Sequence, residues 1–404
     1  MMSPRILVGL GGGIAAYKIC EVISTLVKAD YAVRAMLTDA AAQFITPLTV
    51  TTLCRHPAYD DAALWHPNHS RPLHIDLAEW AEVLVLAPLT ANTLAKLAMG
   101  IADNLLTNTV LASHCPVLLV PAMNTIMWQQ PTVQRNWQEV LGQGRFHALA
   151  PTAGRLACDT VGMGRLTEPH EIIAYVQSLA LTHGKRDLAG KRLLISAGGT
   201  REFLDPVRFI GNPATGKMGR ALARAAWHRG ATVTLVHGPS EVPVDLPTAI
   251  EMRAVTSAQQ MQAALLAAFP AADWTIMAAA VADVTPTQVF PQKLPKAALP
   301  AELPLTPVDD ILKALGQHKH PQQRLIGFAA QTGDIVAPAR QKLIAKQLDA
   351  IVANPVDQAD SGFGCDRNQG VFIPAQGQPV PLPHSDKLTL AHRILDHVHL
   401  LPRL

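Results

Sequence analysis

The sequence predicts two α/β domains in tandem, each built on a doubly wound parallel sheet. Three observations carry that expectation. Short, nearly unbroken apolar runs alternate with helical periodicity in both halves, the pattern of strands buried on both faces of a parallel sheet. Both halves open alike, with an apolar strand and a glycine-rich turn: Arg5–Leu10 then Gly11-Gly12-Gly13, and Arg192–Ser196 then Ala197-Gly198-Gly199-Thr200. Between them lies a polar, charged stretch, Leu181–Gly190, with the composition of a linker. The expected domains are therefore 1–180 and 191–404, with 181–190 joining them.

Taken in order, the first half begins with the strand Arg5–Leu10. A helix follows from about Ile14 to Lys28, where Ile14, Ile19, Val22, Ile23 and Leu26 recur at helical spacing. Val33–Leu37, Val83–Ala87 and Val117–Val120 read as further buried strands. Thr38-Asp39-Ala40-Ala41 reads as a helix start with Asp39 as an N-terminal charge. Arg155–Leu166 (RLACDTVGMGRL) reads as a mobile glycine-containing loop, and Glu171–Leu179 as a helix. In the second half, Lys217–Arg229 reads as a helix. Thr232–Val236, Thr275–Ala278, Leu325–Phe328 and Ala350–Val352 read as strands. Pro286–Pro307, rich in Pro and Lys, cannot be regular throughout, and a long loop inside a domain is usually functional.

Composition excludes several classes. Hydrophobic residues make up 49% and charged residues 16% of the 404, which rules out disorder over most of the chain. A net charge of +3 is too balanced for a nucleic-acid or membrane surface, and 5% aromatics are too few for base-stacking platforms. No apolar run reaches the roughly 18 residues of a membrane span. The N-terminal apolar stretch resembles a signal peptide only slightly, because Gly9 and Gly11–Gly13 would break its helix. Five cysteines without a C-x-x-C pair fit a reduced, cytoplasmic protein with no disulfide framework or zinc site. His66 and His69 have metal-ligand spacing but read as a solvated loop.

Gly11-x-Gly13-x-x-Ala16 follows a strand and opens a helix, a spacing that lets backbone N–H groups and a helix N-terminus approach a phosphate. The spacing does not identify the phosphate. The surrounding stretches do more. GGGIAAYK, LTDAAAQFITP (Leu37–Pro47), His74 in PLHIDLAEWAE, APLTANTLAKLAMGIADNLL (Ala87–Leu106) and PAMN (Pro121–Asn124) closely resemble the flavin-dependent cysteine decarboxylases. AGGTREFLDPVRFIGNPATGKMG (Ala197–Gly219) and AAVAD (Ala279–Asp283) resemble the phosphopantothenate–cysteine ligases. Their order on one chain resembles the bifunctional phosphopantothenoylcysteine decarboxylase / phosphopantothenate–cysteine ligase family of coenzyme A biosynthesis, from about Ile6 to Leu395.

The resemblance implies a flavodoxin-like flavin domain followed by a Rossmann-like ligase domain. It places the phosphate of flavin mononucleotide (FMN) over Gly11, Gly12 and Gly13, with Thr38, Phe44 and Thr90 holding the flavin. His74 matches the family's active-site histidine, a side chain suited to proton exchange near neutral pH. Asn124 matches the motif asparagine, whose amide can both donate to and accept from a substrate. Cys158 matches a lid cysteine acting as acid, and the neighbouring Asp159 is expected to raise its pKa. The implied reaction is a flavin-dependent oxidation beside the thiol, loss of carbon dioxide, protonation by Cys158, and return of the hydride. Gly11 stands where the family commonly has Ser.

For the second half the resemblance implies that CTP, with Mg2+, activates phosphopantothenate as an acyl cytidylate, which cysteine then attacks. The product, phosphopantothenoylcysteine, feeds the decarboxylase. Asn212 matches the asparagine associated with that intermediate. Asp283, Phe328 within Gly327–Ala330, Lys342 and Lys346 match the nucleotide pocket, and Lys293 matches a mobile phosphate-facing lysine. Metal ligands are not assigned. Gly211 to Lys217 has P-loop spacing, but Met218 replaces the magnesium-binding hydroxyl and no strand directly precedes it. Val284, Pro295 and Gln331 depart from the family pattern. A homo-oligomer, with trimeric flavin domains and dimeric ligase domains, is implied by the resemblance alone. Two alternatives stay open: a nicotinamide oxidoreductase using the first glycine turn, and a regulatory flavoprotein without catalysis.

Overall fold

The computed structural model describes residues 3–66, 70–240, 245–357, 362 and 364–402. His69, half of the histidine pair noted above, lies outside them. The chain divides into two units, Met1–Lys185 and Arg186–Leu404.

The first unit contains β1 (Arg5–Leu10), β2 (Ala32–Leu37), β3 (Val83–Leu89), β4 (Val117–Pro121), β5 (Phe146–Ala148), β6 (Thr152–Arg155) and β7 (Val161–Arg165). The first five form a sheet in the order β2-β1-β3-β4-β5, parallel throughout. Every residue of β3 and β4 is buried, as two helical layers require. The helix Ala16–Lys28 presents Ile19, Val22, Ile23 and Leu26 to that sheet, each at most 1% exposed. Ile14 departs from the expected stripe: it precedes the helix and is 56% exposed. The 155–166 stretch is also more ordered than its composition predicts. β6 and β7 pair as an antiparallel hairpin, because alternating residues on each strand find backbone partners despite the glycines.

The second unit begins inside the predicted linker. The helix Pro169–Thr182 ends the first unit's chain path, whereas Leu188 is fully buried in the second unit's core. Its strands are β8 (Arg192–Ala197), β9 (Arg201–Phe203), β10 (Phe209–Gly211), β11 (Thr232–His237), β12 (Glu251–Ala254), β13 (Trp274–Met277), β14 (Val284–Pro286), β15 (Leu305–Pro307), β16 (Arg324–Gln331), β17 (Ala350–Pro355), β18 (Arg367–Pro374) and β19 (Val380–Asp386). The main sheet runs β12-β11-β8-β13-β16-β17-β18-β19. The first six are parallel, in the doubly wound 3-2-1-4-5-6 order. β18 and β19 add antiparallel strands at one edge. Two small hairpins, β9-β10 and β14-β15, stand apart from the sheet. The β14-β15 pair closes the base of the Pro-rich loop. Gly211 therefore does follow a strand, but one belonging to a side hairpin.

Candidate active sites

In the first unit the winding reverses between β1 and β3, the position at which a doubly wound sheet leaves a crevice beyond its strand ends. Part of the sequence-predicted set collects there. Gly11 follows β1, Thr38 follows β2 and Thr90 follows β3. Gly12, Thr38 and Thr90 line one cleft of about 540 Å3 with Asp39, Asp61, Asn92, Lys96, Asp103 and Asn104. The turn is glycine for steric reasons. A Cβ on Gly11 would stand 2.4 Å from the Pro88 carbonyl oxygen, and one on Gly12 2.3 Å from the Ala40 Cβ. Among the described residues, the N–H groups of Gly12, Gly13 and Ile14 donate to no protein acceptor, so they remain available at the start of a 13-residue helix.

The hydroxyls are partly committed. Thr38 Oγ1 donates to the Leu10 carbonyl (3.3 Å) and accepts from Ala41 N (3.2 Å). Thr90 Oγ1 accepts from Thr93 N (3.2 Å). Phe44 does not line the cleft and is 49% exposed. Sequence reasoning missed Lys96, whose Nζ lies 2.8 Å from both Asp103 oxygens and holds that carboxyl below its ordinary range. It also missed Asp61, whose pKa is raised by burial although its carboxylate accepts from Leu105 N. Lys96 stands within the quoted stretch Ala87–Leu106, but a lone helical lysine carried no distinguishing signal.

Asn124 and Cys158 are brought together outside that cleft. Asn124, after β4, uses Oδ1 to cap the Ile126 N–H (2.8 Å) and donates from Nδ2 to Cys158 Sγ (3.4 Å). Thr160 Oγ1 lies 3.1 Å from the same sulfur. The hairpin is seated on the Pro121–Thr125 segment by Met123 N donating to the Gly164 carbonyl (3.0 Å). Gly164, at φ +143°, passes so near Met123 O that a Cβ would come within 2.2 Å.

The thiol's environment corrects one expectation. The Cys158 pKa is lowered, first by the Thr160 hydroxyl and backbone and then by Asn124. Asp159 does not raise it: that carboxylate is held by Arg155, at 3.1 and 2.8 Å. His74 is the second residue of the helix Leu73–Trp80. Its Nδ1 is buried and, among the described residues, has no hydrogen-bond partner. It does not line the glycine-turn cleft.

In the second unit the reversal lies between β8 and β13. A cleft of about 490 Å3 opens there and gathers Asn212, Asp283, Phe328, Lys342 and Lys346. Asn212 Nδ2 donates to the Ala280 (3.3 Å) and Val281 (3.1 Å) carbonyls, fixing the amide against the end of β13. Lys346 Nζ pairs with Asp310 at 2.9 Å and, against the effect of burial, holds that carboxyl below its ordinary range. Lys293 is exposed and stands outside this cleft.

The cleft also holds Lys217, the last residue of the P-loop-like stretch, and a lysine not singled out from sequence. Lys217 pairs with Asp366 (2.5 Å) and the Gly364 carbonyl (3.0 Å). The nearly buried Lys387 donates to the carbonyls of Cys365 and Gly362 (3.4 Å to the latter), and burial lowers its pKa. Lys387 enters from the antiparallel extension, and nothing in the local sequence connects it with a site some 170 residues earlier.

The family described as Flavoprotein matches residues 1–181, and that described as DNA/pantothenate metabolism flavoprotein C-terminal domain matches residues 188–401. The chain is 44% identical to the coenzyme A biosynthesis bifunctional protein CoaBC of Bacillus subtilis (strain 168), over 100% of this chain and 98% of that protein. It is 41% identical to the protein of the same name from Mycobacterium tuberculosis (strain ATCC 25618 / H37Rv), over 98% and 96% respectively. A crystal structure of the C-terminal domain of a CoaBC protein is 37% identical, with a TM-score of 0.45, over 53% of this chain and 96% of that one. No helix among the described residues is long and apolar enough to cross a membrane. With both halves matched in this order and identity sustained from end to end, the chain belongs to the bifunctional family of coenzyme A biosynthesis, whose members join phosphopantothenoylcysteine decarboxylation to phosphopantothenate–cysteine ligation.

Proposed function

We propose that the first unit is the FMN-dependent decarboxylase and the second the CTP- and Mg2+-dependent ligase, working in sequence on phosphopantothenate and cysteine. The observation that carries the reading is that each sheet opens a polar cleft at its own switch point, lined in each case by residues that match the corresponding family motifs.

FMN fits the first cleft through the unused N–H groups of Gly12, Gly13 and Ile14, which suit a phosphate at a helix start. Thr38 and Thr90 flank the ring site, with Phe44 at its edge. Bound FMN supplies the hydride chemistry that opens a route to decarboxylation. His74 exchanges the proton of the substrate thiol, a role supported by its orphaned, buried Nδ1. Asn124 orients the substrate's carboxylate and amide and supports Cys158. Cys158, held by Asn124 and Thr160, donates the final proton. A partner subunit completes this site: Ile14, Tyr17, Phe44 and Leu48 expose 49–75% of their surface beside the glycine turn and α-helical start.

In the ligase, Lys342 and Lys346 hold phosphate groups of CTP, and Asp283 and Phe328 border the nucleoside. Asn212, both of whose amide hydrogens are held by the Ala280 and Val281 carbonyls, offers its Oδ1 to cysteine's attacking amine, and Lys293 stabilises the charge of departing pyrophosphate. Mg2+ enters this cleft bound to the nucleotide phosphates. Five cysteines, none of them in a disulfide, support a reduced, cytoplasmic setting. Incubation of the purified chain with phosphopantothenate, cysteine, CTP and Mg2+ tests the whole reading by mass. Formation of phosphopantetheine with CMP and pyrophosphate is expected. A mixture lacking phosphopantetheine, or coupling without CTP, would overturn it.

A further inference from the structure

The Pro-rich loop is not free. Its Leu294 has both backbone groups captured by the tip of the β9-β10 hairpin. Leu294 N donates to Asp205 Oδ2 at 3.2 Å, and both terminal nitrogens of Arg208 donate to the Leu294 carbonyl at 3.2 Å. Phe290 N adds a bond to the Leu204 carbonyl at 2.8 Å. Asp205 is fully buried, and its carboxylate is also the acceptor for Val207 N, Arg208 N and the Arg208 guanidinium, each at 2.8 Å. The tip is therefore preorganised, with one carboxylate oxygen and one guanidinium face turned to the loop.

The direction of the hairpin gives this grip a consequence. Four residues of extended chain run from Arg208 to Asn212, which reaches the cleft. At about 3.3 Å per residue the tip stands roughly 13 Å from that amide. A lysine side chain spans only about 6 Å. With Leu294 gripped, its neighbour Lys293 is exposed and outside the cleft.

We propose that Asp205 is a positioning residue of the ligase, acting with Arg208 as a latch that parks the Lys293 loop at the hairpin tip, so that Lys293 reaches the nucleotide only after Leu294 leaves it. The inference rests on the role given to Lys293 above. The latch uses backbone groups of the loop, so it specifies where the loop rests without depending on its side chains. The β14-β15 ladder holds the loop's base in place while the tip is released.

The test compares limited trypsin cleavage after the exposed Lys296 in the full-length, flavin-loaded wild type with that in two variants. Asp205→Asn removes the charge from the hairpin side. Leu294→Pro deletes the donated N–H from the loop side and leaves the hairpin untouched, so it guards against misfolding of the first variant. Both are expected to raise the cleavage rate without substrates by about tenfold, the size of effect expected when a charged hydrogen bond is lost from a local opening equilibrium. Steady-state ligase kinetics should show a severalfold lower KM for CTP, because closure no longer has to break the latch. General damage to the unit would instead lower kcat. Wild-type cleavage rates in both variants overturn the latch. An unchanged ligase rate in Lys293→Gln overturns the role of that lysine instead, and the cleavage comparison distinguishes the two failures.

Discussion

The two clefts use one device with different completeness. Both lie where the winding of a parallel sheet reverses, and both begin with a glycine turn after the first strand. The ligase cleft collects Asn212, Asp283, Phe328, Lys342 and Lys346 from a single chain. Of the predicted residues the decarboxylase cleft is lined by Gly12, Thr38 and Thr90, while His74, Phe44, Asn124 and Cys158 stand outside it. In the second unit the switch point alone gathers the residues expected at a nucleotide. Chemistry on a substrate lying over a flavin draws on surfaces that one unit leaves open, which is the physical argument for a homo-oligomer in the first half.

The comparison can be broken most sharply at His74. His74→Asn should keep FMN bound but lower carbon dioxide release by on the order of 10³–10⁴, leaving ligation intact. Release at the wild-type rate would remove the histidine from the chemistry. Lys293→Gln makes the reciprocal cut: a loss of roughly 10²–10³ in pyrophosphate release with unchanged decarboxylation of supplied phosphopantothenoylcysteine. Equal losses in both assays would signal misfolding. For Cys158→Ser a fall of about 10² in the final protonation is expected, with the decarboxylated, still-oxidised enethiol detectable by mass. Ordinary product at the ordinary rate would dismiss the thiol.

A smaller effect distinguishes the units by pH. His392 is buried in the second unit, and burial followed by the nearby Arg229 charge lowers its pKa to about 4 from the usual 6.5. The unfolded chain therefore binds the proton more readily. Stability from this group is complete above about pH 6.5 and is lost as pH falls toward 4, amounting to roughly 3 kcal/mol. Calorimetry at pH 7 and pH 4.5 should show the second unit's transition falling on acidification, with a shallower fall in His392→Gln. An identical fall in that variant would exclude the histidine as the cause. Smallest of all, Asp159→Asn should change decarboxylation less than twofold, because that carboxylate faces Arg155 and not the thiol. A larger change would restore Asp159 as the group that sets the thiol's acidity.

The parallel strands and the glycine turns were legible because local rules dictate them. Apolar runs such as Val83–Leu89 have no polar face to show solvent, and Gly12 stands where any Cβ would collide with Ala40. The predicted strand Arg5–Leu10 matches the structure residue for residue, and the others differ at their ends by one to three residues. The β6-β7 hairpin was illegible because three glycines and a polar turn mask its period of two. β18 and β19 were missed because they carry prolines and alternate weakly.

By itself, the sequence determined two doubly wound units, the glycine turns that open them, and the motif residues that assign each to its half of the family. Those properties follow from spacing along the chain, where burial and close backbone approach act on near neighbours. Only the tertiary structure decided which of those residues share a cleft, that Asn124 and Thr160 rather than Asp159 govern Cys158, that Lys387 reaches the ligase cleft, and that Asp205 grips Leu294. Most of these depend on groups far apart in sequence meeting at a strand end or hairpin tip, and sheet topology, not spacing, sets those distances.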